Sequence, residues 1–517
     1  MSEYTRKDWR MAAIVSLILL VLGVCNLTTG IPVWGDDHAA YINEGIAIAE
    51  GRFEEQTKIN YFYHPSDMPE EASDGRLVYV WGYPLLLSLV YKVVGFDRVN
   101  FTSIIWYKIP LLLSLSLTGG VLTLFFRRRF SLYVSAGAAM VFCMSGNLFD
   151  AINKLYSDPA FLLFSMLTLL LMEVYTTAIT AEKKNKVWIA LLYSLSMWMT
   201  HETRLSGFTV CIVAALGHGI AVVRKQSSFN RHNWWWYLMP YLLFGAVVLI
   251  SEHLWLAPAT PNISDIGKTT EENIPLIYWR TIFNYFDSLP RLPFVGTGYI
   301  FIGACILGII LKGFKENLHL TLLLIGTLVV DLSLPYTQGL RYLYNVLPIM
   351  AMFCLYGFQV MGKAVCAIWK GANGTVGRTI AMVCAAEILF FSLSNQVYRA
   401  GYNFVHWDER YSYDVYSDDA KEVYQYIWDR VPEDAIIAFG KPRALYLNTG
   451  NLGYCVGNNG HKIEDADYYL RLKTSDFDRG KVDVGNAEKI LENDSFELYK
   501  MGSRNNQGDP PKGDDGI

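Results

Sequence analysis

The chain has 517 residues, 52% hydrophobic and 14% aromatic. Apolar runs near the ~20 residues needed to cross a ~30 Å hydrocarbon core recur along most of it, which excludes an ordinary soluble enzyme. The formal net charge of −4 says little until it is distributed along the chain, and no nucleic-acid partner is expected.

Eleven spans are predicted, over about 11–29, 104–126, 132–149, 159–179, 187–200, 206–223, 234–254, 294–311, 318–334, 345–361 and 379–397. Alternating them places the N-terminus, Arg127-Arg128-Arg129, Lys183/Lys184/Lys186, Arg224/Lys225/Arg231, Lys312/Lys315 and Lys363/Lys370/Arg378 on one side. Cations cluster on the cytoplasmic side of membrane proteins, so the N-terminus is expected inside and the C-terminal region outside. The first span is read as an uncleaved helix: its core is long for a signal peptide, and Val24 spoils the lipoprotein-like box Leu22-Gly23-Val24-Cys25.

After the first span comes Trp34-Gly35-Asp36-Asp37-His38-Ala39-Ala40-Tyr41, at the start of a long outer loop over 32–103. Asp37, Tyr41, Glu44 and Ile48 recur at helical spacing and are expected to share one face of a short helix. Further on, Tyr79-Val80-Trp81-Gly82-Tyr83-Pro84 leads into the apolar run 85–94. That run is too short to cross and is interrupted by Pro84, so a re-entrant or interfacial segment is expected.

Later outward connections carry Asp158, then His201-Glu202 with Arg204, and finally Arg341-Tyr342 beyond a longer loop at 255–292. Trp234, Trp235 and Trp236 read as an interfacial belt. Glu387, near the middle of the last span, reads as a neutral hydrogen-bonded acid. Glu173 is expected to reach water at the cytoplasmic end of its span.

From about Tyr398 the sequence turns soluble and reads as a small α/β domain. A helix over 417–430 with Ser417 as its cap is predicted, followed by a strand over 435–439. A further helix start at Lys441-Pro442-Arg443 and strands over 467–472 and 495–500 complete it. Residues 505–517 are Gly/Pro/Asp-rich and expected to be disordered.

Eight cysteines, seven of them in or beside apolar spans, make no disulfide framework. No CxxC or HExxH stands in the chain, which argues against a structural zinc. The phosphate-cradling GxGxxG and GxxxxGK[ST] patterns are missing too, which argues against a nucleotide-driven pump. An outward-facing membrane enzyme can instead use a sugar carried across on a lipid phosphate. Such a transfer needs a carboxylate to take the acceptor's proton and cations, or a metal, to meet charge on the departing phosphate. Asp36, Asp37, Asp158, Arg204 and Arg341 are the right residue types at the right depth.

The order of these features resembles the GT-C glycosyltransferases, in particular the branch of aminoarabinose transferases, protein O-mannosyltransferases and bacterial polyprenyl-phosphate-sugar-dependent relatives. The likeness covers roughly residues 9–400, and Ala438-Phe439-Gly440-Lys441-Pro442-Arg443 is similar to outer domains of the bacterial members. It implies a mostly α, polytopic bundle of about eleven spans over 1–397, a small extracytoplasmic α/β domain over 398–504, and a bacterial inner membrane.

It also implies residue roles. Aligning by Tyr41 makes Asp37 the general base, with His38 where a Glu is common; matching the acidic pair directly chooses Asp36. Asp158 takes the second-loop acidic position, Arg341 the lipid-phosphate position, and Arg204 a subsidiary one. His38, Tyr41, Glu44, His201 and Glu202 are acceptor or metal neighbours on this reading, and a divalent cation is an open expectation. The implied partners are a polyprenyl-phosphate-linked sugar, the bilayer, and a lipid, glycan or protein acceptor.

Plainer readings compete. Adjacent acids after a helix often cap the next one, and Asp158 before Pro159 has the same option. Arg341 has the option of snorkelling to the interface, and His201-Glu202 that of pairing locally with Arg204. A transporter or flippase, or a membrane-anchored glycan-binding scaffold, are the alternative functions.

Overall fold

The computed structural model describes residues 4–31, 36–63, 79–98, 100–224, 229, 233–254, 273–288, 297–333, 339–368, 387, 390–391, 393–402, 405, 414–456, 462–473 and 482–502. Each of the first ten predicted spans falls on a helix. Six helices are long and apolar enough to cross a bilayer: Arg6–Asn26, Ile104–Arg127, Asp158–Thr180, Trp234–Ser251, Thr297–Glu316 and Leu347–Ala364. The pair Leu132–Cys143 and Gly146–Asn153, bent by 51°, makes a seventh if taken as one broken span. Gly207–Val223 and Leu318–Leu332 are apolar but shorter. The helix Lys186–Thr203 ends in His201, Glu202 and Thr203, which dilutes its apolar run. The predicted eleventh span lies mostly outside the described residues, and 505–517 lie wholly outside them.

The chain is an integral membrane protein, and the helix surfaces show why. On Arg6–Asn26, Ala12, Val15 and Leu19 repeat at three and four residues and are buried. They pack on Gly119 and Gly120 of the helix Ile109–Arg127. Its other face exposes Ile14, Leu17, Val21 and Val24, each more than half accessible, as only a lipid-facing helix tolerates. With lipid on one side there is little hydrophobic gain in helix association, so close backbone approach matters more. Gly308 and Gly357 supply it, since a Cβ at either position would stand 2.0 Å from a backbone carbonyl oxygen of the facing helix.

The segment 85–94 forms the helix Gly82–Val94, 13 residues long and below bilayer thickness. Pro84 does not interrupt it. The helix begins two residues earlier, so the proline sits in its first turn, where the missing N–H costs nothing.

The arginine-rich ends of the helices are locked by ions. Glu173 is only 4% exposed rather than reaching water. It receives Arg128 Nε at 2.7 Å and the Arg129 guanidinium, while His319 Nε2 stands 3.8 Å away. Arg129 also donates to Asn317 Oδ1 at 3.0 Å, tying three helices together. The run Arg127-Arg128-Arg129 therefore builds a buried network as well as setting charge asymmetry.

The C-terminal α/β domain has a five-stranded sheet in the order β2-β1-β3-β5-β4, with β1 Ile437–Phe439, β2 Gly453–Tyr454, β3 Tyr468–Leu472, β4 Glu488–Glu492 and β5 Phe496–Lys500. β1 pairs parallel with β2 and β3; β5 pairs antiparallel with β3 and β4. Ser417 caps the helix Asp418–Arg430 by accepting from Ala420 N at 3.1 Å. Leu445, Leu470, Phe496 and Leu498 belong to the same buried cluster as the membrane helices, so the domain shares its core with the bundle.

Removing Glu173 leaves two arginines buried without a counter-charge. Glu173→Ala is expected to cost about 3–5 kcal/mol and lower the thermal midpoint of the detergent-solubilised protein. Glu316→Ala, which breaks the exposed Lys312–Glu316 pair, should stay within about 0.5 kcal/mol of wild type in the same melt.

Candidate active site

Asp36 and Asp37 are adjacent but part company at the start of a helix. Asp37 is the first residue of Asp37–Glu50, and Asp36 precedes it with φ −101° and ψ 0°. Asp36 makes no side-chain cap on that helix. Its carboxylate instead accepts from the backbone N–H groups of Arg443 at 2.7 Å and Ala444 at 2.9 Å. Those are free donors at the start of the C-terminal helix Pro442–Thr449, where a carboxylate is favoured. Asn43 Nδ2 adds a bond to the Arg443 carbonyl at 3.2 Å. Asp36 thus docks the C-terminal domain. Burial pushes its carboxyl up to about 6, against the opposing Arg443 charge and the two N–H bonds.

Asp37 faces the other way. It is 34% exposed in its side chain, and its Oδ1 accepts from Tyr79 OH at 2.7 Å. Arg341 Nη1 stands 3.7 Å from Oδ2, and Arg443 Nη1 stands 3.9 Å from Oδ1. Glu44, buried two turns further on the same helix face, accepts from Tyr79 N at 3.3 Å and so holds the tyrosine toward Asp37. Tyr41 packs on Tyr79 with ring centroids 4.3 Å apart and shares a hydrogen bond with Ser157 Oγ at 3.3 Å. Burial pushes the Tyr41 hydroxyl up to about 12.

Asp158 is fully buried at the first turn of Asp158–Thr180. It does not cap that helix; each oxygen meets an arginine, Oδ1 the Arg204 Nη1 and Oδ2 the Arg341 Nε at 3.0 Å. Arg341 lies in the short turn Gly339–Leu343 and stacks over Tyr156 at 3.9 Å, so it is held rather than snorkelling. Gly339 has φ +62°, a conformation that leaves this turn to glycine. Arg204 lies between Phe161 and Tyr342, 5.8 and 5.7 Å from their ring centroids.

Asp37, Asp158, Arg204 and Arg341 therefore form one cluster, with Tyr41 and Glu44 behind it. His38 is not part of it: its Nε2 pairs with Tyr416 OH at 2.7 Å, toward the C-terminal domain. His201 and Glu202 pair with each other, Nδ1 to Oε1 at 3.1 Å, and leave Arg204 to Asp158. Sequence reasoning missed Tyr79, Tyr156 and above all Arg443, although the Lys441-Pro442-Arg443 phrase was visible. The missing signal was that Asp36 would pull that helix start onto Asp37.

A divalent cation needs several hard ligands around one point. Among the described residues no three His, Cys, Asp or Glu side chains gather in that way. Asp158 has both oxygens on guanidinium groups, so this donor set fits an arginine clamp rather than a metal.

Among solved structures the chain is similar to ArnT from Cupriavidus metallidurans bound to undecaprenyl phosphate, with 11% identity and a TM-score of 0.57 over 96% of this chain and 98% of that one. The apo ArnT structure gives 10% identity and 0.54, over 94% and 97%. The apo oligosaccharyltransferase of Archaeoglobus fulgidus gives 9% and 0.53, over 90% and 69%. The chain has the GT-C fold. No family model and no curated protein matches the sequence. Within this GT-C fold the arginine clamp and Asp37 occupy the junction of membrane helices and C-terminal domain.

The raised Asp36 carboxyl gives a signed expectation. The docked state holds that proton more tightly than the free state, whose ordinary value is 3.8. Docking should be tightest below about pH 4 and weaken as pH rises through about 6. Protection factors of the amides of residues 443–449, corrected for the intrinsic pH dependence of exchange, measure it: Asp36→Asn should make them independent of pH, and Asp36→Ala should lower them at every pH.

Proposed function

We propose that the chain is a membrane glycosyltransferase that moves a sugar from a polyprenyl-phosphate donor to an extracytoplasmic acceptor hydroxyl. The observation that carries this reading is Asp158 gripping Arg204 and Arg341 with Asp37 3.7 Å from the same Arg341. A clamped arginine pair beside a more accessible carboxylate supplies the two things the transfer needs, a phosphate receptor and a base. The arrangement also explains why Asp158 is unsuited to proton transfer: both of its oxygens are engaged. ArnT, a solved structure of similar fold, is bound to undecaprenyl phosphate, which supports a lipid phosphate as the donor's carrier.

On this reading the acceptor O–H attacks the anomeric carbon from the face opposite the phosphate. Its proton passes to the Asp37 carboxylate. The bond from anomeric carbon to phosphate oxygen breaks, and its electron pair leaves with the phosphate toward Arg341 and Arg204. The products are an inverted glycoside and free polyprenyl phosphate. Arg443 adds a cation on the far side of Asp37, so transfer depends on the docked C-terminal domain. The basic ends of the helices lie in the cytoplasm and the site outside, in keeping with a bacterial inner membrane.

Reconstituted protein with labelled undecaprenyl-phosphate sugars tests this. Asp37→Asn is expected to lower turnover about 10²–10⁴-fold while donor still binds. Arg341→Ala should instead weaken binding of undecaprenyl phosphate itself. Full transfer by Asp37→Asn would sink the mechanism, and movement of intact donor across the bilayer without product would sink the enzyme.

A further inference from the structure

A cleft of about 510 Å³ opens at the turn Gly339–Leu343, which carries Arg341. Asn147 and Asp150 line it from the helix Gly146–Asn153, Asn284 from Ile274–Ser288, and Asn395 with Arg399 from the described stretch 393–402. Gly339 and Leu340 also line it, so the cleft and Arg341 share the turn Gly339–Leu343. Tyr344 lies within electrostatic reach of both places. Burial first, then the Asp158 charge, pushes its hydroxyl up, and Asp150 adds to the push.

The lining is chemically particular. Asn147, Asn284 and Asn395 all line the cleft, the first two exposed, and none has a protein hydrogen-bond partner among the described residues, so their amide donors and acceptors are open to a ligand that displaces water. Asp150 Oδ1 meets Arg399 Nη2 at 2.8 Å, which cancels the charge and leaves further N–H and oxygen positions open. An anion would need a net positive wall, and a lipid chain an apolar one. A neutral group bearing many hydroxyls matches amides plus a carboxylate–guanidinium pair.

We propose that this cleft binds the carbohydrate group, with its hydroxyls on Asn147, Asn284, Asn395 and the Asp150–Arg399 pair. The proposal rests on the glycosyl-transfer reading and adds where the sugar sits. The sugar is either the one carried by the donor or part of a glycan acceptor; both present the same hydroxyl chemistry.

The test uses the full chain in lipid nanodiscs, as wild type, Asn284→Ala, Asn395→Ala and the double variant. These side chains have no hydrogen-bond partner among the described residues, and unchanged thermal midpoints verify that the fold is intact. Three probes are compared: undecaprenyl phosphate, undecaprenyl-phosphate glucose, and methyl glycosides followed by saturation-transfer NMR with excess undecaprenyl phosphate present. Sugar-free lipid should bind all four proteins equally. A donor-sugar site predicts weaker binding of the sugar-bearing lipid, about five- to tenfold for each lost carboxamide. An acceptor site predicts unchanged donor binding and loss of the glycoside signal. If the double variant matches wild type with both sugar probes, the proposal is overturned. If wild type binds no lipid phosphate yet loses glycoside signal on mutation, the transfer reading fails and the carbohydrate site stands.

Discussion

A carboxylate taken out of water costs several kcal/mol unless cations and hydrogen bonds replace its hydration, and Asp158 is buried completely. Two guanidinium groups and the first turn of its own helix supply that replacement. The requirement runs in both directions. Arg204 follows the helix Lys186–Thr203 and Arg341 sits in the turn Gly339–Leu343, so one buried charge gathers three chain segments. Without it the two arginines would repel each other and drift toward water. Their remaining N–H groups, turned from Asp158, are what a phosphate would meet.

The acidic pair shows how one residue of register separates two tasks. Asp36, outside the helix, closes onto backbone N–H donors of the C-terminal domain; Asp37, inside it, opens onto Tyr79 and Arg341. The two are linked through Arg443, whose N–H binds Asp36 and whose guanidinium stands near Asp37. Docking of the domain and completion of the charge cluster are therefore one event. The Glu44–Tyr79 bond stiffens the other side of Asp37 and gives a buried acid a positioning role.

Helix positions were legible because membrane crossing writes itself as long apolar runs, and cations between them recur on alternate connections. Helical periodicity likewise places Asp37, Tyr41 and Glu44 on one face, whereas the choice of Asp37 over Asp36 rests on the resemblance alone. What periodicity cannot carry is contact between distant segments. Nothing local in Asp158-Pro159 distinguishes a helix cap from an arginine clamp, because the choice depends on residues 46 and 183 positions away. His38 misled for the same reason, since its partner Tyr416 lies 378 residues on. The strand Glu488–Glu492 was missed because its exposed, charged edge lacks the apolar alternation of a buried strand.

Charge balance gives the cluster a direction. Among the groups within 4 Å of the Asp37 and Asp158 carboxylates, Arg204, Arg341 and Arg443 leave one positive charge in excess. A sugar-bearing lipid phosphate is a diester with one negative charge, so the ground state would be matched. On the proposed transfer, the phosphate would gain a second negative charge as the glycosyl bond breaks, and in the same event Asp37 would take the acceptor's proton and lose its own. The local excess rises to two as the phosphate's charge does. Proton transfer and leaving-group departure then assist each other through Arg341, which stands between both sites. Preorganised charge of this kind acts without reorganising at the moment of reaction. On the same proposal the two acids carry different penalties: Asp37→Asn would remove the proton acceptor, while Asp158→Asn would release the two arginines it holds.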